Sequence, residues 1–244
     1  MPVVHAHRGA SAYAPENTLP AFRLGREMHA DGVENDIHYT ADGVFVVCHD
    51  EAIDRTSNGS GLIPDMTLEQ LRQYDFGCKC GSQFAGTVIP TLDEFLKVVA
   101  DMSIINIEIK TVKGDSARRA GAFDQLVEEL NRHACADRTI FSSFNHGLLR
   151  EFKERHPSIR TGLLYSEHYT AEQTLELADT YHADAIHPHL NCIDPSIIAA
   201  CREAKIDINL WTVDSPEMIE RAIALDPTGI ISNVPDRVLK ALGR

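Results

Sequence analysis

The chain has 244 residues, of which 43% are hydrophobic and 24% charged, and carries a formal net charge of −13. Such a composition suits a globular fold, and roughly 250 residues is the size at which an α/β barrel folds as one domain. The acidic balance argues against nucleic acid as a partner, no apolar run approaches the roughly 18 residues of an integral membrane span, and six cysteines without a secretory leader read as reduced thiols of a cytoplasmic protein.

Short apolar runs alternate with amphipathic stretches from end to end. Strands are expected at 2–7, 32–39, 44–48, 104–110, 139–143, 161–165, 184–187, 207–213 and 229–232. Helices are expected at 18–30, 92–101, 117–132, 146–155, 171–181, 195–204, 216–224 and 235–242. Pro195, Pro216 and Pro235 suit the first turns of the last three. Strand–helix alternation over the whole chain implies a parallel sheet with helices outside it, a single (β/α)8 TIM barrel over residues 1–244. The second and third strands are joined only by Thr40-Ala41-Asp42-Gly43. That link is too short for a right-handed parallel crossover, so one of the two is antiparallel to the other or outside the barrel. Residues 51–89 have no clear strand and one short helical pattern at 68–74, which reads as a small inserted cap. Cys78-Lys79-Cys80 lies in this cap; a lone Cys-x-Cys is a weak metal signal and reads as loop.

The chemistry shows itself where polar residues occupy an inward strand face. Residues two apart in a strand share a face. In Ile104–Ile109 and the Lys110 that follows, Ile105, Ile107 and Ile109 form an apolar face, and Asn106, Glu108 and Lys110 lie on the other. Glu34 and Asp36 likewise share a face. Inward carboxylates are costly unless paired or bound to a metal. They form either a hard-cation site of charged oxygen ligands or buried ion pairs with Arg8 and Lys110. His7 and His49 end separate strands, where a pair of imidazoles can act as general acid and base. His5 shares a face with His7 and lies deeper, as a core residue. His187-Pro188-His189, near another strand end, reads as structural.

Together the motifs resemble the glycerophosphodiester phosphodiesterase family. His7-Arg8-Gly9-Ala10 followed by Pro15-Glu16-Asn17-Thr18 is similar to that family's opening signature. Glu34-Asn35-Asp36, Asp42-Gly43 and His49-Asp50 continue it, then Arg55-Thr56, Asn58-Gly59 and Gly61, then Ile107-Glu108-Ile109-Lys110. Ser142-Ser143-Phe144, Trp211-Thr212-Val213 and Pro235-Asp236 resemble its weaker later landmarks, so the similarity runs from about residue 3 to 240.

The resemblance implies a barrel with an insertion after His49-Asp50. It implies a divalent cation, Mg or Ca, on Glu34, Asp36 and Glu108, with His7 and His49 as the acid–base pair. Arg8 and Lys110 become phosphate contacts and Trp211 a residue of the substrate cleft. Asn17 is either a site residue or the cap of the following helix. Three carboxylates, two side-chain cations and a divalent ion leave one net positive charge facing a monoanionic diester. The implied reaction is metal-dependent hydrolysis of a glycerophosphodiester, a small-molecule substrate, to sn-glycerol 3-phosphate and an alcohol. Asn233, in Ser232-Asn233-Val234-Pro235-Asp236, stands where the family usually has an acid, a departure that bears on substrate preference. The rival readings are a lysophospholipase D-like or other lipid head-group phosphodiesterase, a metal-dependent sugar-phosphate lyase or isomerase, and a binding module that has lost catalysis.

Overall fold

A computed structural model of the chain describes every residue except 111. The strands are β1 (Val3–His7), β2 (Gly32–Tyr39), β3 (Phe45–Val47), β4 (Ile104–Ile109), β5 (Thr139–Ser143), β6 (Arg160–Tyr165), β7 (Ala185–Pro188), β8 (Asp207–Leu210) and β9 (Gly229–Ser232). The helices are α1 (Leu19–Glu27), α2 (Leu68–Leu71), α3 (Leu92–Val99), α4 (Ser116–Arg132), α5 (His146–Arg155), α6 (Ala171–Thr180), α7 (Pro195–Ala204), α8 (Pro216–Leu225) and α9 (Pro235–Ala241). Every expected strand and helix is present, most of them trimmed at the ends.

The sheet closes. β1 pairs in parallel with both β2 and β9, and the circle runs on through β4, β5, β6, β7 and β8, giving an eight-stranded parallel (β/α)8 TIM barrel. β3 is the ninth strand. It pairs antiparallel with β2 alone, Ile37 opposite Val47, and stands outside the barrel circle. The five-residue link 40–44 is too short for a parallel crossover, which excludes a parallel pairing of β3 with β2.

Helix starts follow local chemistry. Asp115, Asn145, Thr170, Asp194 and Ser215 each accept a backbone N–H of the first turn of α4 to α8, and Pro opens α7, α8 and α9. Apolar helix faces pack on outward strand residues. Ile105, Ile107 and Ile109 of β4 are fully buried in one such cluster with Phe95, Phe123 and Phe152. Val4, Ile186, Ile208 and Ile230 anchor a second, on the opposite side.

The barrel interior departs from the usual filling of branched apolar side chains. His5, Asn106, Ser142, His187 and Asn209 are all buried there. Glycines make the room: a Cβ on Gly162 would sit 2.5 Å from His187 Nε2, and one on Gly229 would sit 2.2 Å from Asn209 Oδ1. His187 Nε2 faces Asn209 Nδ2 at 2.9 Å, and its carbonyl accepts the indole N–H of Trp211 at 2.7 Å. His189 meets the Trp211 ring edge-on, with centroids 5.1 Å apart. His187 thus sits inside the barrel and His189 at the Trp211 ring.

Residues 51–89 contain α2 and two single 3-10 turns. Ile53, Ile63, Leu71, Phe76 and Ile89 build a small core of their own, packed against Val46 of β3 and the adjacent Cys48. No helix among the described residues is long and apolar enough to cross a membrane.

Candidate active site

Parallel register assembles the site at the ends of three neighbouring strands. His7 on β1 is level with Glu34 on β2, and Asp36 on β2 is level with Glu108 on β4. Alternation then turns all four side chains to the same interior face. Carboxylate oxygens of Glu34, Asp36 and Glu108 lie within 4.8 Å of one another, and all three residues are buried.

Cations and amides surround them. Lys110 Nζ lies 2.6 Å from Glu108 Oε1 and 2.8 Å from Asp36 Oδ1. Arg8 adopts φ +55°, which brings its backbone N–H onto Glu34 Oε2 at 3.0 Å and its Nε within 3.4 Å of Asp36. Gly9, which follows at φ +80°, runs so close to α1 that a Cβ would meet the Ala21 backbone at 2.5 Å. That contact explains the glycine of the opening motif.

The cluster is short of positive charge. Burial, then the Asp36 charge, pushes Glu34 well above its ordinary range. The same two causes push Glu108 up to about 7. Burial would raise Asp36 too, but the Lys110 ammonium and the Arg8 guanidinium outweigh it and hold that carboxyl low. Asp36 Oδ1 has no well-aligned hydrogen-bond donor. Three crowded, buried carboxyl groups, each able to offer an anionic oxygen once a cation is there, are the set a hard divalent cation takes, and the residues present fit one. A second grouping, Asp93, Glu129 and His133, is half-buried and already paired with Lys97 and Arg132, so it reads as an ion-pair network.

The two histidines flank the carboxylates, each held from behind. His7 Nδ1 is 2.7 Å from Asn233 Oδ1, and its Nε2 is 3.7 Å from Glu34. Burial and then the Arg8 charge push His7 down to about 4. His49 Nδ1 is 2.6 Å from Asp50 Oδ1. Arg55 grips Asp50 through Nε at 2.6 Å and Glu16 through both terminal nitrogens at 2.7 Å. Arg8 Nη1 completes the chain by donating to Glu16 Oε1 at 3.0 Å. A run of charge-assisted contacts therefore links Arg8 to His49 around the rim. Burial lowers His49, partly offset by the Asp36 charge.

Asn17 resolves between its two sequence readings. α1 is preceded by Thr18 at the cap position with no side-chain cap bond. Asn17 Nδ2 donates instead to Asp36 Oδ2 at 2.7 Å. Its amide is committed to a carboxylate of the cluster, not to the helix. Trp211 lines the cleft beside His7, Glu34 and Glu108, with Phe144 edge-on to its ring at 5.6 Å. Arg8 and Lys110, which the resemblance makes phosphate contacts, are both engaged by carboxylates, so a phosphate would share them. Glu16, Asp50 and Arg55 have no role in the sequence analysis although they stand in its motifs; only their places in those motifs, Glu16 beside Asn17 and Asp50 beside His49, mark them. Asn233 and Asp214 carried less signal: the first was a departure from pattern, the second nothing.

Comparison with known proteins shows what the chain is similar to. Residues 7–237 match the family described as "Glycerophosphoryl diester phosphodiesterase family". A protein of Caldanaerobacter subterraneus subsp. tengcongensis named glycerophosphodiester phosphodiesterase is 38% identical over 97% of this chain and 96% of its own length. A phosphodiesterase from Oleispira antarctica, solved in complex with the product sn-glycerol-3-phosphate, superposes with a TM-score of 0.89 at 28% identity, covering 100% of this chain and 98% of its own. A glycerophosphodiester phosphodiesterase from Agrobacterium tumefaciens superposes at 0.84 and 27% identity, covering 99% and 100%.

Proposed function

The chain belongs to the glycerophosphoryl diester phosphodiesterase family, and on that footing we propose that it hydrolyses glycerophosphodiesters to sn-glycerol 3-phosphate and an alcohol. Glu34, Asp36 and Glu108 would hold a divalent cation, Mg or Ca, and His7 and His49 would exchange the protons. The observation that carries this reading is the trio of buried carboxylates within 4.8 Å, flanked by two imidazoles each anchored through Nδ1.

When bound, the cation supplies Lewis-acid polarisation of the phosphoryl group. The protein's own groups do the rest. Arg8 and Lys110 share their charge between the carboxylates and the non-bridging oxygens of the diester, where negative charge grows in the transition state. Anchoring at Nδ1 leaves Nε2 of each histidine as its working nitrogen. One takes a proton from the attacking hydroxyl and the other gives one to the leaving alcohol. The attacker is water or the 2-hydroxyl of the glycerol; the second would proceed through a cyclic phosphate and gain from proximity. Trp211 and Phe144 give the cleft an apolar wall for the carbon skeleton. Asn17 acts through Asp36, by fixing that carboxylate. Residues 1–244 form one barrel domain in this reading, with 51–89 as its insertion, contributing Arg55 to the rim.

The lipid head-group alternative needs an apolar surface on that insertion. Ile63 and Phe76 are buried in its own core, while Leu62 and Val88 are exposed. Two scattered side chains make a poor platform for an acyl chain, which favours the water-soluble diester. Turnover on glycerophosphocholine compared with lysophosphatidylcholine tests the choice. Preference for the first is expected; preference for the second would transfer the reading to lipid substrates.

A further inference from the structure

We infer that Asp214, acting through the Asn233 amide, fixes the tautomer of His7 and so decides which of its nitrogens works in the site. This rests on the acid–base reading of His7 and adds two positioning residues that the sequence left without a role.

The three residues follow the barrel circle. Asp214 lies in the loop after β8, Asn233 directly after β9 and His7 at the end of β1, and these strands are consecutive neighbours. Asp214 receives two hydrogen bonds from Asn233: the backbone N–H onto Oδ1 at 2.8 Å and the side-chain Nδ2 onto Oδ2 at 2.6 Å. Ser232 Oγ donates to the same carboxylate at 3.2 Å. An ionised carboxylate only accepts. Flipping the Asn233 amide would bring its Oδ1 against Asp214 Oδ2 at that same short separation, two acceptors with no proton between them. The amide is therefore locked with Oδ1 toward His7.

That orientation dictates the proton on His7. Asn233 Oδ1 accepts from Ser11 Oγ at 2.6 Å and faces His7 Nδ1 at 2.7 Å. A carbonyl oxygen cannot donate, so Nδ1 carries the hydrogen. Nε2 then presents its lone pair on the side of Glu34, 3.7 Å away. With the amide reversed, Nδ2 would point at Nδ1, the proton would sit on Nε2, and the working nitrogen would enter the reaction in the wrong form. The pair needs one amide and one carboxylate, in either order: an acid at 233 would accept from His7 while an amide at 214 donated to it.

The test is the tautomer of His7, read from its ring nitrogen shifts by NMR and assigned by its absence in His7→Ala. In the unaltered protein Nδ1 is expected protonated. In Asp214→Asn the Asn233 amide loses its lock, and the His7 signals should move toward a mixture of tautomers. Turnover should fall at least about tenfold in kcat with KM little changed, since substrate contacts are untouched. Asn233→Asp alone should also fall, with two carboxylates facing each other. The double exchange Asp214→Asn/Asn233→Asp should recover most of the loss, the non-additivity expected of residues in direct contact. An unshifted His7 tautomer in Asp214→Asn, or a double variant no better than its worse parent, would overturn the inference. Full turnover in His7→Ala is a different outcome: it would overturn the acid–base role itself, whatever the tautomer.

Discussion

Asn17 Nδ2 donates to Asp36 Oδ2 at 2.7 Å, and the Asp36 backbone N–H returns a longer bond to Asn17 Oδ1 at 3.3 Å. Both residues are buried, so the amide has no solvent to compete for it. Asn17→Ala should free Asp36 to turn. Partners that hold a metal-binding carboxylate are worth about 10–100-fold in metal affinity or activity when lost. A titration of activity against added Mg or Ca should move to higher concentration in the variant, with far less change in saturated kcat. An unmoved titration would remove Asn17 from the support of the cluster.

Glu108 is one of two carboxylates in the cluster, with Glu34, that burial and the Asp36 charge hold above the ordinary range. Burial and the Asp36 charge push it up to about 7, so without a bound ion it competes for a proton near neutrality. Glu108→Ala should weaken metal binding and cost most of the turnover. Isothermal titration of the apo protein checks it directly; unchanged metal affinity would exclude Glu108 from the ligand set.

His7→Ala and His49→Ala should each lose roughly 10²–10⁴-fold in kcat. Both side chains are partly exposed at the rim, so the fold should persist, with an unaltered far-ultraviolet spectrum. Normal turnover in both variants would contradict the acid–base assignment.

Asp50 gives His49 a different backing from the one Asn233 gives His7. The Arg55 hydrogen bonds, working against burial, hold the Asp50 carboxyl down to about 2, so it is charged throughout the neutral range. A negative charge beside an imidazole favours its protonated form. Asp50→Asn should therefore lower the His49 pKa and shift the dependent limb of the kcat–pH profile toward acid. A shift toward alkali, or none, would show that Asp50 does not tune His49.

Stability should fall on mild acidification. Burial pushes His5 down to about 4 and His187 down to about 3, below the ordinary 6.5. Unfolded chains bind a proton on each as pH drops through 6.5, whereas the folded protein resists until pH reaches the lowered values. The stabilisation is thus complete above 6.5 and lost progressively between 6.5 and about 3 to 4, at up to about 1.4 kcal/mol per pH unit for each group. Urea midpoints at pH 7 and pH 5 measure it. His187→Gln should flatten the dependence, and an identical slope in that variant would contradict the account.

The barrel was legible because strands and helices carry different apolar periods, and a closed parallel sheet needs both in alternation. The β2–β3 link was legible as a constraint but not as an outcome: four residues exclude a parallel crossover, and only the register of Ile37 with Val47 shows β3 outside the circle. Inward carboxylates announced themselves by alternation against Ile105, Ile107 and Ile109. Asn17 did not, because asparagine caps helices as readily as it holds carboxylates, and only its contact with Asp36 in the folded barrel decides between them. The chain from Arg8 through Glu16, Arg55 and Asp50 to His49 crosses segments far apart in sequence, with nothing periodic to betray it. The Asp214–Asn233–His7 alignment was hidden for the same reason: a strand end and two post-strand segments far apart in sequence meet only after the barrel closes.

The most direct test of the account is release of sn-glycerol 3-phosphate from glycerophosphocholine by protein stripped with EDTA and then reloaded with Mg or Ca. The account predicts no release from the stripped protein and recovery on adding one of the ions, with Glu108→Ala failing to recover at the same concentration. Undiminished release after stripping would contradict a cation held by Glu34, Asp36 and Glu108.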